Sequence, residues 1–176
     1  MQFHTTTLDG AWLIDLEPAR DQRGFFARTF CVDEFMTHGL ETRYPQHSIS
    51  VSARKGTLRG MHYQREPHSE VKLVRCVRGT IWDVIIDIRP NSSTYRRWQA
   101  FELSDSNGSQ LYIPKGFAHG FQTVSEDVEV NYLISEPYRS EAARGIRYDD
   151  PNFAIAWPLP VTSISEKDLR WPNFAD

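Results

Sequence analysis

Short apolar runs follow one another along most of this chain, and each is stopped within a few residues by Gly, Pro, Asn, Asp or Ser. The runs Ala11–Pro18, Gly24–Phe30, Lys72–Gly79, Thr80–Pro90, Trp98–Leu103, Gln110–Pro114, Gly120–Val124 and Val128–Ile134 have the length and the Val, Ile and aromatic content of strands. The segments between them, among them RPNSST, SDSNGS and PKGFAHG, supply the residues that turns require. So many short strands predict a mainly β fold, a sandwich or barrel. Only Cys31–Leu40 reads as a helix, with Asp33 as its cap and Gly39 as its stop. After about Arg139 the sequence mixes aromatics, prolines and charges, which suits a tail packed along the outside of a domain.

With 176 residues and 40% apolar content, the chain suffices for a single domain spanning 1–176. Its net charge of -3 comes with both signs interspersed, so no basic face points to nucleic acid and any anionic ligand must be met locally. No stretch approaches the ~18 consecutive apolar residues of a membrane span, and the first ten residues lack a basic segment leading into an apolar one. The expectation is a cytoplasmic protein with no membrane partner. Cys31 and Cys76 lie far apart and form no C-x-x-C pair, which favours reduced packing residues over a disulfide or zinc site.

The segment Leu58–Gln64, LRGMHYQ, suits a half-buried strand but carries Arg59 and His62 three positions apart. Strand alternation would put Leu58, Gly60, His62 and Gln64 on one face and Arg59, Met61 and Tyr63 on the other. Arg59 and His62 can act together only if the strand bulges or ends between them, and Gly60 offers the place for that. Taken alone, each polar residue has a plain explanation. Arg59 could be solvated, His62 a hydrogen-bonded core histidine, Lys72 an edge residue, Tyr132 a core aromatic, and His119, in the turn-rich PKGFAHG, a turn-stabilising donor. Gathered on the inner faces of one barrel, however, they would be more polar groups than packing accommodates, which argues for a ligand cavity.

The strings RDQRGFFARTF, KGTLRGMHYQ, KLVRCVRGTIWDVIIDIR, YIPKGFAHGFQ, RGIRYDDP, WPLP and SEKD, in this order from about Asp21 to Asp168, resemble the dTDP-4-dehydrorhamnose 3,5-epimerase family. The resemblance implies a cupin-like jelly-roll β-barrel or sandwich with a few short helices, a homodimer, and a dTDP-sugar substrate. It implies epimerisation at C3 and C5 of a 4-dehydro-6-deoxy sugar with no cofactor and no metal. His62 matches the family's base, Asp168 the aspartate that orients it, Lys72 the lysine facing the 4-keto oxygen, and Tyr132 the proton donor on the opposite side. An imidazole, whose ordinary pKa is near ~6.5, suits a base at neutral pH. Arg59 matches a diphosphate contact and His119 a residue beside the sugar. Arg23, Phe26, Tyr138 and Glu141 match positions around the nucleotide, some of them reaching in from the other subunit.

The match has departures. Where the family often carries Gln-x-Asn, this chain has Gln46 followed by serines, Tyr132 is followed by Leu133 rather than lysine, and Ala143 stands where a glutamate is common. These bear on the sugar and on whether both carbons or one are epimerised. Two other readings share the barrel. A metal-dependent cupin would use the PKGFAH segment, but its usual pair of histidines separated by one residue is missing, since His68 stands six positions after His62. A non-catalytic sugar-binding cupin would be expected to have lost the base or its partner. A related monoepimerase remains an alternative within the enzyme reading.

Overall fold

The computed structural model describes residues 1–175. β1 (Gln2–Thr5) and β2 (Trp12–Asp15) form a hairpin, followed by the smaller hairpin of β3 (Ala19–Asp21) and β4 (Gly24–Phe26). The helix α1 (Val32–Thr37) leads into β5 (Gln46–Ser52), β6 (Thr57–Gln64), β7 (Lys72–Arg78), β8 (Thr80–Asp87) and β9 (Trp98–Ser104). β10 (Gln110–Ile113), β11 (Phe117–Thr123) and β12 (Val128–Ile134) come next, then β13 (Ala143–Gly145), β14 (Ser163–Ile164) and the short helix α2 (Glu166–Leu169).

These strands make two facing sheets, β1-β2-β10-β7-β12-β5 and β13-β6-β11-β8-β9, with β14 parallel to β6. The fold is the mainly β, cupin-like jelly roll. Period-2 alternation along the strands sends every second side chain into the space between the sheets. Val74, Cys76, Leu111, Ile113, Val128 and Val130 of the first sheet meet Ile81, Ile85, Phe101, Leu103, Phe117 and Phe121 of the second in one buried core. The outer faces are covered too. α1 lays Phe35 over Ile14, Leu73 and Tyr112, while Ile146 and Phe153 of the C-terminal tail cover Met61, Val84, Ile86 and Ala118. The irregular tail therefore packs as its composition suggests. Among the described residues no helix is long and apolar enough to cross a membrane.

Several boundaries differ from the sequence reading. The run Gly24–Phe30 pairs only through Phe26, because its partner β3 is three residues long and Phe25 and Phe26 find no cover. The helix is capped by the Cys31 backbone without a side-chain bond, and Asp33 lies inside its first turn. Gly39 does close it, with a φ of 69° and its N–H on the Met36 carbonyl. PKGFAHG is no turn beyond Gly116: from Phe117 it is β11, a central strand paired on both sides. Cys31 and Cys76 are both free.

The irregularity with the largest effect on the interior lies in β6. This strand and β11 pair His62 with His119 and Arg59 with Phe121, so Gly60 and Met61 together oppose Gly120 alone. This is a β-bulge, and it turns Arg59 and His62 onto the same inward face while Met61 joins the outer cluster. Glycine is needed on both sides. Gly60 has a φ of 145°, and a Cβ there would lie 2.6 Å from the Gly120 Cα; a Cβ at Gly120 would lie 2.7 Å from the Arg59 carbonyl oxygen. Gly60→Ala is therefore expected to destabilise the protein by about 2–5 kcal/mol, the combined range for overpacking and a forbidden φ. Chemical denaturation measures it, and an unchanged unfolding midpoint would contradict this account of the crossing.

Candidate active site

At one end of the sandwich the inward residues change from apolar to polar, and a cavity of about 610 Å³ opens between the sheets. Arg59, His62 and His119 reach it from β6 and β11 of one sheet; Lys72 and Tyr132 reach it from β7 and β12 of the other. Gln46, Ser48 and Ser50 on β5 form a polar side wall. The serines point inward and His47, Ile49 and Val51 outward, the reverse of the usual half-buried pattern.

His62 is held from behind. Its Nε2 lies 2.6 Å from Asp168 Oδ1, the carboxyl is nearly buried, and the imidazole remains partly open to the cavity. Asp168 sits in α2, where its N–H donates to the Ser165 cap, and its oxygens also receive the Trp171 indole N–H at 3.2 Å and the Gly60 N–H at 3.4 Å. Burial alone would raise the Asp168 pKa, but the bond to His62, its charge and these N–H donors hold it below the ordinary carboxylate value. The RGIRYDDP segment supports this end of the chain. A side chain on Gly145 would collide with the Trp171 ring at 2.4 Å, and Arg147 donates to the Leu169 carbonyl at 2.7 Å.

Lys72 is not at an edge, since β7 lies between β10 and β12. Its ammonium pairs with Glu70 Oε1 at 3.0 Å and donates to the His62 backbone carbonyl at 3.3 Å, which brings it to the β6 side of the cavity. An ammonium has three donors, so one is left for the cavity. Tyr132 reaches the cavity from the other sheet; its hydroxyl lies 3.3 Å from Ser50 Oγ, and burial pushes its phenol well above the ordinary value. It stays protonated at neutral pH and can donate. His119 is locked by Asp83, with Nε2 2.9 Å from Oδ2, and its ring meets Tyr132 edge-on at 6.2 Å. Burial raises the Asp83 carboxyl against the opposing pull of His119 and Lys72. Arg59 spans the β5 edge, with Nε on Ser52 Oγ and Nη2 on the Val51 carbonyl.

The remaining expected site residues are spread differently. Tyr138 lines the cavity mouth and is exposed, whereas Glu141 is exposed beyond the lining and bonded to Ser140. Arg23 and Phe26 do not line this cavity. Both stand exposed on the β3–β4 hairpin, Arg23 paired with Asp21. Glu70, Asp83, Ser50 and Trp171 are cavity or supporting residues that the sequence reading missed; each acquires its role only through a tertiary partner. Among the described residues no group of three or more His, Cys, Asp or Glu is arranged to hold a metal ion, and His62 and His119 are each engaged by a carboxylate of their own.

A base-like imidazole oriented by a carboxylate on one wall, with an ammonium and a protonated phenol reaching the same cavity from the facing wall, is suited to moving a proton from one side of a bound molecule to the other. Comparisons with known proteins agree with this chemistry. Residues 5–176 match the family model described as dTDP-4-dehydrorhamnose 3,5-epimerase. The chain is 47% identical over 173 residues to the dTDP-4-dehydrorhamnose 3,5-epimerase of Methanothermobacter thermautotrophicus, covering 97% of this chain and 92% of that one. The dTDP-4-dehydrorhamnose 3,5-epimerase of Bacillus anthracis, solved with TDP and PPi bound, superposes with a TM-score of 0.96 at 35% identity, covering 98% and 99% of the two chains. A 3,5-epimerase of Legionella pneumophila in complex with dTDP-4-keto-L-rhamnose superposes at 0.92 with 36% identity, covering 98% and 92%. By full-length sequence match and by fold, the chain belongs to the dTDP-4-dehydrorhamnose 3,5-epimerase family.

Proposed function

We propose that this protein is an isomerase that epimerises dTDP-4-dehydro-6-deoxy-D-glucose at C3 and C5, giving dTDP-4-dehydro-L-rhamnose. The observation that carries the reading is that one cavity is lined by the His62–Asp168 pair from one sheet and by Tyr132 from the facing sheet, with the Lys72 ammonium bonded to the His62 carbonyl. A 4-keto group acidifies the protons on its neighbouring carbons. His62 takes one of them, the C–H electron pair moves into the ring bond, and charge develops on the keto oxygen. Lys72 presents its free N–H to that oxygen, where a fixed cation stabilises the enolate. Tyr132 then returns a proton from the other face, which inverts the centre. Asp168 holds the imidazole and stabilises it once protonated.

Arg59 meets the diphosphate, to which a guanidinium fork is well matched. His119, fixed by Asp83, forms a polar wall beside the sugar. Tyr138 at the mouth is positioned for the nucleotide. Arg23, Phe26 and Glu141 have no place in the cavity of their own chain; we assign them to the nucleotide in a homodimer, in which the exposed hairpin that carries Arg23 and Phe26 serves the neighbouring subunit. The exposed Phe25 and Phe26, with Ile49 and Val51 on the edge strand β5, support such a contact surface.

Proton NMR with the dTDP-sugar in deuterated water tests the division of labour. The unaltered protein is expected to bring deuterium into both C3 and C5. His62→Asn should abolish uptake at both carbons, and Tyr132→Phe should keep exchange detectable while failing to complete inversion at one centre. Equal loss of exchange and product in Tyr132→Phe would remove the two-face mechanism, and uptake at one carbon alone in the unaltered protein would make it a monoepimerase.

Asp168 also links catalysis to acid stability. Its folded pKa is depressed, so its stabilising contribution is fully present above the unfolded value near ~3.9 and is lost as the pH falls through the folded value. Asp168→Asn is expected to lower kcat by about 10²–10⁴, the usual scale for general base catalysis, and to flatten the acid limb of Tm against pH below about pH 5. An acid limb as steep as that of the unaltered protein would show that Asp168 is not the group titrating there.

A further inference from the structure

Gln64, the last residue of β6, lines the cavity and is 6% exposed, yet the proton-transfer scheme gives it no part. Both donors and the acceptor of its amide are spent on the backbone of two loops. Nε2 donates to the His68 carbonyl at 3.0 Å and to the Pro137 carbonyl at 3.4 Å, and Oε1 accepts the Arg139 N–H. No donor is left for a ligand, so this side chain acts on the chain itself.

Two of those backbone groups flank Tyr138. That residue lies in the irregular crossing from β12 of the first sheet to β13 of the second, outside any strand ladder. Its ring lines the cavity mouth and is exposed, and among the described residues its side chain has no hydrogen bond or ring contact. No polar contact of its own fixes the ring, so its place follows from the backbone beneath it. Gln64 holds the residues on either side, and Gln46 Oε1, from β5 on the opposite sheet, accepts the Tyr138 N–H at 2.9 Å. The nearest backbone anchors beyond these are the Ser135 N–H on the Val71 carbonyl and the Arg139 carbonyl, which accepts the Ala142 and Ala143 N–H groups. The His68–Glu136 pair ties the same two loops, but through side chains.

Resting on the epimerase reading, we propose that Gln64 is a positioning residue for nucleotide recognition, clamping Pro137 and Arg139 so that the Tyr138 ring stands at the mouth as a preformed stacking surface for the thymine base. An aromatic ring already aimed keeps the full gain of stacking, whereas an unheld one spends part of it on its own ordering. The clamp needs two donors and an acceptor in one side chain, which glutamine has and neither glutamate nor methionine supplies.

Two double-substitution cycles, read as dTDP affinity by titration calorimetry, test this. Gln64→Met keeps the length and removes all three bonds; Gln64→Glu keeps the shape and the acceptor and removes the donors. Each is expected to weaken dTDP binding about tenfold, on the scale of one stacked base. In a Tyr138→Ala background the same changes should cost less than about twofold, because the ring that Gln64 serves is gone. In an Arg59→Gln background, which weakens the diphosphate contact and keeps the base contact, they should again cost about tenfold. A loss that persists undiminished in Tyr138→Ala would make Gln64 a structural residue and overturn the proposal. A loss that shrinks equally in both backgrounds would overturn it too, as would unchanged affinity in both Gln64 variants; the epimerase reading would survive all three. An unaltered protein that does not bind dTDP would remove that reading and this proposal with it.

Discussion

At the crossing of Gly60 and Gly120, a side chain on either strand would meet backbone of the other within 3 Å. Everything at the cavity depends on this approach. Without the bulge, β6 would keep strict alternation, and one of Arg59 and His62 would have to turn into the outer cluster among Met61, Val84 and Ile86. With it, a guanidinium and an imidazole share the inner face, and His62 stands directly across from His119. The bulge also presents the Gly60 N–H to Asp168, so the same irregularity that aims the imidazole helps to fix the carboxylate behind it. Bulges re-aim side chains at functional sites elsewhere, and here the consequence can be traced atom by atom.

A second constraint is charge. The cavity region holds Lys72, Glu70, Asp168, Asp83, His62 and His119 within a sandwich whose remaining interior is aliphatic and aromatic. Isolated charges would not survive there. Each is instead given one partner: Glu70 for Lys72, Asp168 for His62, Asp83 for His119. Pairing leaves each member only part of its hydrogen-bonding capacity. What remains, the open side of the His62 ring, one N–H of Lys72 and the Tyr132 hydroxyl, is the set of groups that can act on a ligand. The pairs thus define the reactive surface by elimination.

Much of this was legible in the residues. The β class, the core strands around Lys72–Gly79 and Thr80–Pro90, and the need for an irregularity at Gly60 come from periodicity and from what glycine permits. β5 escaped notice because QHSISVS hides its pattern: the inward residues are serines, small and turn-like, and the apolar Ile49 and Val51 face outward. PKGFAHG read as a turn because Pro114, Gly116 and Gly120 are turn residues, yet Gly120 is there for a close backbone approach inside a strand. Asp168 became visible only through family resemblance, since no local pattern marks a carboxylate 106 positions from its histidine. Glu70 and Asp83 carried no signal at all, because burial and partnership are properties of the folded chain.

The position of Asp168 has a consequence for how the site is assembled. The sheets can pair and the core can close without α2, since the buried residues of the inter-sheet cluster lie between Leu8 and Val130 alone. The imidazole, however, is oriented only when the tail has crossed the outside of the second sheet and Trp171 has settled on Gly145. Arg147, bonded to both the Leu169 and the Pro172 carbonyls, and Ile146, paired with Met61 beside the bulge, link that last step back to β6. The elements that complete the site are therefore distinct from those that hold most of the core. Loosening the tail would uncover Met61, Val84 and Ile86 and release the carboxylate that orients His62, so the cover of the second sheet and the competence of the site rest on the same segment.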